Sequence, residues 1–280
     1  MQSQQYFQGK VVVITGGSSG IGYALAESIA GMHPRVVVLV SHEKEKLQAA
    51  ALRIQKEKPQ TEISFYVADI GDSQSVQVAC ADIVSKHGAP DIVINNAGYA
   101  HYHLFHEMTD EEIFQHANVN LIGAMRVVRS FLPSMRAAKR GQIVNVASIA
   151  GHMIITPNLV YGAAKHGMVA WSEGLAAELA ADHITVQVIS PGRVVTDFFR
   201  HESFQKRVAG KETRMTVSME KVVDASINAI IKRKKVTIVP KYWAYVAWSL
   251  QAFPRLMKPL YHTILKRRIK RLQGVDSINS

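Results

Sequence analysis

Val11-Val12-Val13-Ile14-Thr15-Gly16-Gly17-Ser18-Ser19-Gly20-Ile21-Gly22 is the stretch that decides the fold, and an apolar-periodic segment follows it as far as Ala30. The order of a β-branched run, glycines and a periodic segment predicts a strand, a loop and a helix. Glycines let the backbone turn sharply and approach a pyrophosphate, which the free N–H groups at the start of the helix then bind. The spacing is G-x-x-x-G-x-G and does not match G-x-G-x-x-G literally, so a plain glycine turn is the alternative. The position between a first strand and a helix favours a dinucleotide site.

The alternation of strand and helix continues along the whole chain. Runs that are apolar nearly throughout predict strands at 11–14, 36–40, 63–67, 92–94, 142–146, 185–189 and 236–239. Helical periodicity separates them at 21–30, 43–58, 75–87, 111–138, 161–181 and 219–232. The pattern predicts an α/β protein with one Rossmann-type, doubly wound, seven-stranded parallel sheet, and no internal repeat divides it.

The net charge of the chain is concentrated at one end. The 280 residues hold 33 Lys and Arg against 22 Asp and Glu, for a formal charge of +11. Residues 1–231 carry 21 charges of each sign, whereas residues 232–280 carry 12 basic side chains and Asp276 as their one acid. The excess of basic side chains in residues 232–280 predicts that the C-terminal end meets an anionic surface, either a membrane or a nucleic acid.

A composition that is 48% hydrophobic excludes a disordered or collagen-like chain.

Cys80 is the single cysteine, which excludes an intrachain disulfide and a cysteine-based zinc or iron–sulfur site. A reducing compartment is the simpler interpretation. The first ten residues hold no run that resembles a signal peptide, and nowhere do about 18 uncharged apolar residues follow one another as a spanning helix requires. We therefore expect a cytoplasmic protein that is soluble or peripheral on a membrane.

Polar residues of the types used in binding and catalysis follow two further strands. Asn95-Asn96-Ala97-Gly98 comes at the carboxyl end of strand four, where open α/β sheets bind ligands, although such residues also favour turns. Ser148 lies just past strand five, and Tyr161 and Lys165 share one face of the next helix. A phenol has an unperturbed pKa of about 10, which a nearby ammonium lowers towards the range useful in catalysis. A Tyr-x-x-x-Lys pattern alone usually marks an ordinary helix surface with no catalytic role.

In combination and order, these motifs resemble the short-chain dehydrogenase/reductase family over about residues 8–240. The resemblance implies a catalytic tetrad of Asn120, Ser148, Tyr161 and Lys165 and hydride transfer between a nicotinamide and a carbonyl or secondary alcohol. Tyr161 is then the proton donor or acceptor, and Ser148 orients the substrate oxygen. Lys165 is implied to bind the nicotinamide ribose and to lower the pKa of Tyr161, while Asn120 holds a water that relays protons from Lys165.

The same resemblance implies which residues contact the cofactor. They lie in the glycine loop, at the ends of strands two to four, on the tetrad helix and after strand six: Gly16, Ser18, Ser19, Gly20, Ile21, Gly22, Ser41, His42, Asp69, Ile70, Asn96, Ala97, Gly98, Tyr161, Lys165, Pro191, Gly192, Val194 and Thr196. Asp69 resembles the acid that contacts the adenine, and the loop from Pro191 to Thr196 resembles the one that contacts the nicotinamide and its carboxamide.

The end of strand two bears on the choice between NAD and NADP. An acid there accepts the 2′-hydroxyl of NAD and repels a 2′-phosphate, but this chain reads Val40-Ser41-His42-Glu43. Ser41 and His42 can donate hydrogen bonds to a phosphate. Relatives that prefer NADP often carry Arg at the position of His42, and some carry a basic residue at the position of Ser19; both are missing here. We expect NADP(H) to be preferred over NAD(H).

His101, His103 and His106 form an H-x-H-x-x-H cluster that invites a metal interpretation. A zinc site also needs a fourth or catalytic ligand, and this loop borders the expected substrate cleft. We therefore expect solvated or substrate-lining histidines and no metal.

Residues 241–280 extend the catalytic domain of residues 1–240, and the family resemblance gives no guide to them. The segment 242–248 is aromatic and uncharged, and the apolar residues beyond Pro259 keep a helical stripe: Leu260, Tyr261, Ile264, Leu265, Ile269 and Leu272. Most of the basic residues lie off that stripe. This predicts an amphipathic helix in the headgroup zone of an anionic membrane, where each basic residue adds about 1 kcal/mol. The alternative is a helix packed on the domain or on a second subunit; nucleic-acid binding is not expected.

These observations predict an NADP-linked oxidoreductase in lipid metabolism that acts on a lipophilic substrate, such as a long-chain 3-keto lipid of the 3-ketosphinganine type, a sterol or a retinoid. Residues 198–217 are expected to form a substrate lid. A soluble NAD-linked alcohol dehydrogenase with a small polar substrate and a non-catalytic NADP-sensing protein are the alternatives. Relatives pair through helices near 111–138 and 161–181, so a homodimer or homotetramer is expected.

Overall fold

The sheet confirms the seven strands that the sequence predicts. The computed structural model describes residues 2–194 and 216–272, with these strands: β1 Val11–Thr15, β2 Val36–Ser41, β3 Glu62–Val67, β4 Ile92–Asn95, β5 Gly141–Val146, β6 Ile184–Pro191, β7 Arg193–Val194, β8 Thr216–Val217 and β9 Val236–Val239. The large sheet has the order β3-β2-β1-β4-β5-β6-β9, and all of its strand pairs are parallel. The strand order reverses between β1 and β4, and ligands bind at the carboxyl ends of the strands at such a point.

Helices cover both faces of this sheet. Their bounds are α1 Gln2–Phe7, α2 Gly20–Ala30, α3 Lys44–Glu57, α4 Ser73–His87, α5 Asp110–Ala117, α6 Ala124–Ala137, α7 Leu159–Glu178, α8 Met219–Ile231, α9 Tyr242–Ala252 and α10 Pro254–Leu272. Successive residues of a strand face opposite sides, so Val12 packs with residues of α2, α3 and α8 whereas Val13 packs with residues of α4, α6 and α7. Burial on both faces explains why the strands are continuously apolar.

One predicted helix differs from the structure. The segment expected as a single helix at 111–138 is divided into α5, a π-helical stretch Asn118–Gly123 and α6. The side chain of Asn118 helps to hold the wider turn, since it donates to Gly71 O at 3.0 Å and accepts from Arg126 Nη1 at 2.6 Å. The bonds that favour the π turn come from other parts of the chain, so periodicity does not reveal it.

The tail forms two helices that follow β9 directly. Leu250 of α9 is buried in an apolar cluster with Ile149 and Met153 of the catalytic body. Packing on the domain, the alternative raised from the sequence, is therefore present for this part of the tail. Within the residues that the structure describes, no helix is both long and apolar enough to cross a membrane.

Of the segment 198–217 that is expected to be a lid, only Thr216 and Val217 are described. Thr196 and residues 198–215 lie outside the described residues. The flanks of this segment pair as β7 and β8, with Arg193 opposite Thr216 and Val194 opposite Val217.

Candidate active site

The glycine loop connects β1 to α2 and requires glycine at several positions. Gly16 and Gly20 have φ of +65° and +57°, the left-handed region that glycine adopts without strain. A Cβ on Gly22 would lie 2.3 Å from Gly16 O, so the loop closes tightly on the first turn of the helix. Ser19 precedes that turn and does not cap it with its side chain. The result is a helix N-terminus approached closely by backbone, which suits a pyrophosphate.

Thr15 ties this loop to the end of β4. Its Oγ1 accepts the N–H groups of Asn96 at 3.0 Å and of Ala97 at 3.1 Å. The amide of Asn96 donates in turn to Thr15 O at 3.1 Å and to Gly16 O at 3.3 Å. The sequence motifs do not indicate that Thr15 holds the two loops together, although Thr15 is the one polar residue in an otherwise apolar strand.

The end of β2 lies against the same loop. Ser18 Oγ donates to Ser41 Oγ at 3.1 Å, which places two hydroxyl groups beside exposed His42. The nearest acid in sequence, Glu43, forms an ion pair with Lys46. This edge of the site thus offers hydrogen-bond donors where an NAD-specific site has a carboxylate.

Asp69 and Ile70 follow β3 near the same edge. Asp69 is exposed, and its Oδ1 accepts the N–H of Gly71 at 2.8 Å. Ile70 is 6% exposed, and its carbonyl accepts from Arg126. The Asp69 carboxylate therefore stabilises a turn at the position expected to contact the adenine.

Three members of the tetrad meet between β5 and α7. Ser148 forms a hydrogen bond with the Tyr161 hydroxyl, and its Oγ accepts the N–H of Ala150 at 3.1 Å. Lys165 is 3% exposed, donates from Nζ to Val146 O at 3.0 Å, and has Nζ 5.7 Å from the centre of the Tyr161 ring. A carbonyl oxygen held by Ser148 would lie next to the phenol, with a cation behind it.

Burial controls the protonation of these groups. It raises the pKa of Tyr161 to about 12, and the hydrogen bond with Ser148 offsets only part of that rise. It also lowers the pKa of Lys165 to about 8. The phenol of Tyr161 is therefore protonated at neutral pH. The resemblance implies that Lys165 lowers the pKa of Tyr161, and that role of Lys165 stays a prediction.

This protonation pattern predicts how the rate depends on pH. In the roles that the resemblance implies, reduction needs a protonated Tyr161 and a charged Lys165, and both conditions hold below the Lys165 pKa of about 8. The reductive kcat/KM should be constant at lower pH and fall as pH rises through that value, because the ammonium is lost while the phenol keeps its proton. A pH–rate profile between about pH 6 and about pH 10 tests this. A rate that rises across the same range would contradict it.

Asn120, the fourth tetrad member, lies in the π-helical stretch and is fully buried. Its Nδ2 donates to Tyr99 O at 2.8 Å and to His116 O at 3.0 Å, and its Oδ1 accepts the Tyr99 N–H at 3.1 Å. A Cβ on Gly98 would lie 2.5 Å from Asn120 Oδ1 and 3.7 Å from Lys165 Nζ. Asn120 therefore holds the loop after β4 close to the other tetrad members.

The loop after β6 is fixed by the last strand. Pro191 ends β6, and the Gly192 N–H donates to Val239 O at 2.6 Å. Val194 is buried. These three expected contact residues lie at the carboxyl edge of the sheet, whereas Thr196, the fourth, is outside the described residues.

The tail covers part of the rim of this site, which the sequence did not indicate. Tyr261 of α10 donates its hydroxyl hydrogen to Ile154 O, and Arg268 Nη2 donates to the Tyr102 hydroxyl at 2.8 Å. Ile154 lies in the loop that begins at Ser148, and Tyr102 lies in the loop after β4. The helix thus connects the two loops that flank the tetrad.

The chain has relatives among known proteins. A family model described as short chain dehydrogenase matches residues 10–207. A "Dehydrogenase/reductase SDR family protein 7-like" from Anopheles gambiae is 30% identical over 282 residues, covering 98% of this chain and 87% of the relative. A 3-ketodihydrosphingosine reductase from Bacteroides thetaiotaomicron is 32% identical over 191 residues, covering 68% of this chain and 66% of the relative.

Solved structures share the fold. A short-chain dehydrogenase from Sphingobium yanoikuyae in complex with NADPH matches with a TM-score of 0.76 and 27% identity, covering 88% of this chain and 95% of that chain. A short-chain dehydrogenase/reductase from Burkholderia phymatum in complex with NAD matches with a TM-score of 0.81 and 23% identity. The match covers 90% of this chain and 96% of that chain. At that identity the second likeness shows the fold alone.

Proposed function

The chain belongs to the short-chain dehydrogenase family, and we propose that it transfers a hydride between NADP(H) and the carbonyl or secondary alcohol of a lipophilic substrate at an anionic membrane surface. Family membership makes it an NAD(P)-dependent oxidoreductase of carbonyl and CH–OH groups. The observation that carries the reaction type is the hydrogen-bonded pair of Ser148 and Tyr161 with buried Lys165 behind it.

Each residue of this group has one task in the reductive direction. The Ser148 hydroxyl orients the carbonyl oxygen of the substrate, and Tyr161, whose pKa is about 12, donates its proton to that oxygen. The Lys165 ammonium stabilises the phenolate that remains. Bound NADPH supplies the hydride. The glycine loop and the uncapped start of α2 fit its pyrophosphate, because backbone approaches there more closely than any side chain would allow.

The preference for NADP rests on the edge of the site near β2. The hydroxyls of Ser18 and Ser41 and the exposed ring of His42 provide donors for a 2′-phosphate, and Glu43 is engaged by Lys46. The Sphingobium structure with NADPH is consistent with this choice, and an NAD-linked enzyme stays the alternative.

A lipophilic substrate is favoured by the apolar surroundings of the tetrad. The cluster of Ile149, Met153 and Leu250 begins one residue after Ser148, and partly buried Met257 of the tail packs against it. The 3-ketodihydrosphingosine reductase among the relatives acts on a long-chain keto lipid by its name, which supports the same substrate class.

A turnover panel tests the proposal. Long-chain 3-keto lipids, sterol ketones and retinal would be compared with small polar ketones, each with NADPH and with NADH. We expect kcat/KM to be at least about tenfold higher for a lipophilic ketone, and for NADPH over NADH, a difference that corresponds to about 1.4 kcal/mol. Higher activity on polar ketones with NADH would favour the NAD-linked alternative. Binding of NADPH without turnover of any carbonyl would favour the non-catalytic sensor.

Membrane association is favoured by the two helices of the tail. Exposed apolar side chains continue from α9, where Tyr245 is 73% and Trp248 59% exposed, to α10, where Leu256, Leu260 and Ile264 recur every fourth residue. The neighbouring stripe of α10, one residue further along the chain at Met257, Tyr261 and Leu265, faces the catalytic body and is half-buried. Basic side chains on the same helix are exposed: Arg255, Lys258, Lys266, Arg267 and Lys270. An exposed apolar face beside exposed cations is complementary to an anionic lipid surface.

Vesicle binding should depend on that apolar face. Leu260→Asp combined with Ile264→Asp should reduce binding to vesicles of mixed anionic and zwitterionic lipid by about tenfold or more, because two apolar side chains leave the bilayer interface and charge repulsion is added. Co-sedimentation measures the effect. The matched control is Leu52→Asp with Val78→Asp, since these residues are 63% and 56% exposed on α3 and α4 of the catalytic body. Equal binding by both double variants would contradict the membrane assignment.

Truncation of the chain at Pro240 would test membrane association less well than these substitutions do. It would remove Leu250 from the cluster with Ile149 and Met153 and expose that part of the core. The homodimer or homotetramer expected from the family stays a prediction, for which mass measurement in solution is the direct test.

A further inference from the structure

Two histidines and one glutamate converge on a single oxygen at the rim of the site. His101 Nδ1 lies 3.2 Å and His103 Nδ1 lies 3.4 Å from Glu112 Oε1, and the three ligand atoms are all within 4.8 Å of one another. The two histidines come from the loop after β4, and the glutamate comes from the first turn of α5. His106, the third histidine of the sequence motif, does not belong to this group.

The separations fit a bound cation. Zinc binds His nitrogen and carboxylate oxygen at about 2.0–2.2 Å, so neighbouring ligands of a tetrahedral site are about 3.3–3.5 Å apart. The His103 Nδ1–Glu112 Oε1 distance of 3.4 Å lies in that range, and the His101 Nδ1–Glu112 Oε1 distance of 3.2 Å is just below it. The Nδ1 of His103 is also buried and has no hydrogen bond of good geometry with any described residue, which leaves its lone pair available to a metal.

The carboxylate is held in place by the start of α5. Glu112 and Thr109 form a capping box in which Glu112 Oε2 accepts the Thr109 N–H at 2.9 Å. That bond is the main reason why the pKa of Glu112 is below its usual value, with a smaller contribution from His101. Oε2 is thus used by the helix, and Oε1 faces the two histidines.

His116 fixes the main chain of the loop from behind. Its Nε2 accepts the backbone N–H of His101 at 3.0 Å, and its Nδ1 donates to Glu112 O at 2.6 Å. Both ring nitrogens are therefore engaged, so His116 acts as a support and not as a fourth ligand. Outer-shell bonds of this kind orient ligands in metal sites.

We propose that His101, His103 and Glu112 bind one divalent cation of the zinc class, with a coordination position left for water or a substrate oxygen. Two histidines and one carboxylate are a known ligand set for zinc and for other first-row metals. This departs from our expectation from the sequence, in which the missing ligand spoke against a metal.

The loop that would carry the ion connects several parts of the site. Tyr99 in this loop hydrogen-bonds with tetrad Asn120, and Tyr102 accepts from Arg268 of the tail. A cation bound between His101 and Glu112 would cross-link the loop to α5. The expected effect is a more rigid rim, and the proposal does not depend on the identity of the substrate.

Metal titration of the full chain tests this proposal. Protein stripped with a chelator would be titrated with Zn²⁺ in competition with a chromogenic chelator, and we expect one equivalent to bind. His103→Asn and Glu112→Gln should each weaken binding by about 100-fold, because the loss of an outer-shell partner alone costs about 10–100-fold. His106→Asn is the matched control and should bind as the parent does.

Thermal unfolding provides a second readout that does not rely on turnover. Zn²⁺ should raise the Tm of the parent and of His106→Asn, and should leave that of Glu112→Gln unchanged, since a ligand stabilises only the folded state that binds it. Absence of stoichiometric binding by the parent would overturn the proposal. Equal weakening by His106→Asn and His103→Asn would overturn it as well, because the ion would then be held adventitiously by the loop.

Discussion

Tyr161→Phe should lower kcat by about 10²–10⁴-fold, the range that positioned acid–base groups contribute. The variant removes the hydroxyl that bonds with Ser148 and keeps the ring beside Lys165 Nζ, so the packing of α7 is retained. The affinity for NADPH should change little, because Lys165 and the glycine loop are untouched. Steady-state turnover and NADPH fluorescence titration separate the two effects.

Tyr66→Phe is the matched control for this prediction. Tyr66 is also half-buried and lies on β3, away from the tetrad, so its hydroxyl has no role in proton transfer. Its turnover should equal that of the parent. If Tyr161→Phe turns over as fast as Tyr66→Phe, Tyr161 is not the proton donor.

The framework of this site was predictable because its signals are local. The run from Val11 to Ile14 is apolar on both faces, and the glycines that follow it are required by positive φ and close backbone approach. Tyr161 and Lys165 are one helical turn apart, so their shared face follows from spacing alone. Each inference needed only residues that are neighbours in the sequence.

The contacts that were missed join residues far apart in the chain. Glu112 meets His101 and His103 only because α5 folds back on the loop after β4. The π-helical stretch around Asn120 likewise depends on bonds to other segments. The H-x-H-x-x-H spacing singles out His101 and His103, but sequence spacing indicates neither Glu112 as their neighbour nor the π turn.

The tail is helical, as the sequence predicts, but its apolar stripe lies partly against the catalytic body and partly in solvent. Tyr261 and Leu265 face the catalytic body and are half-buried, whereas Leu260 and Ile264, which precede them by one residue each, are exposed. A periodic pattern gives the width of an apolar face but not how much of that face the domain covers. Membrane contact and packing on the body are therefore compatible for this helix.

Gly22→Ala should weaken cofactor binding strongly, with the affinity for NADPH reduced by about 100-fold or more, equivalent to about 2.7 kcal/mol or more. The new Cβ would lie 2.3 Å from Gly16 O and 2.4 Å from Asn96 Nδ2. Both neighbours are constrained, because the main chain at Gly16 has a positive φ and Asn96 is held by a hydrogen bond to Thr15. The loop must therefore move away from α2, and the free energy of unfolding should fall by about 1–3 kcal/mol as in other overpacked sites.

Gly174→Ala makes the same chemical change where there is room for it. Gly174 lies in α7, and a Cβ there would meet nothing within 4 Å. Alanine is favoured over glycine in a helix interior by about 1 kcal/mol, so this control should be slightly more stable than the parent and should bind NADPH equally well. Cofactor titration and thermal unfolding of both variants measure the contrast. If Gly22→Ala binds NADPH as tightly as Gly174→Ala, the close approach at the start of α2 does not form the cofactor site.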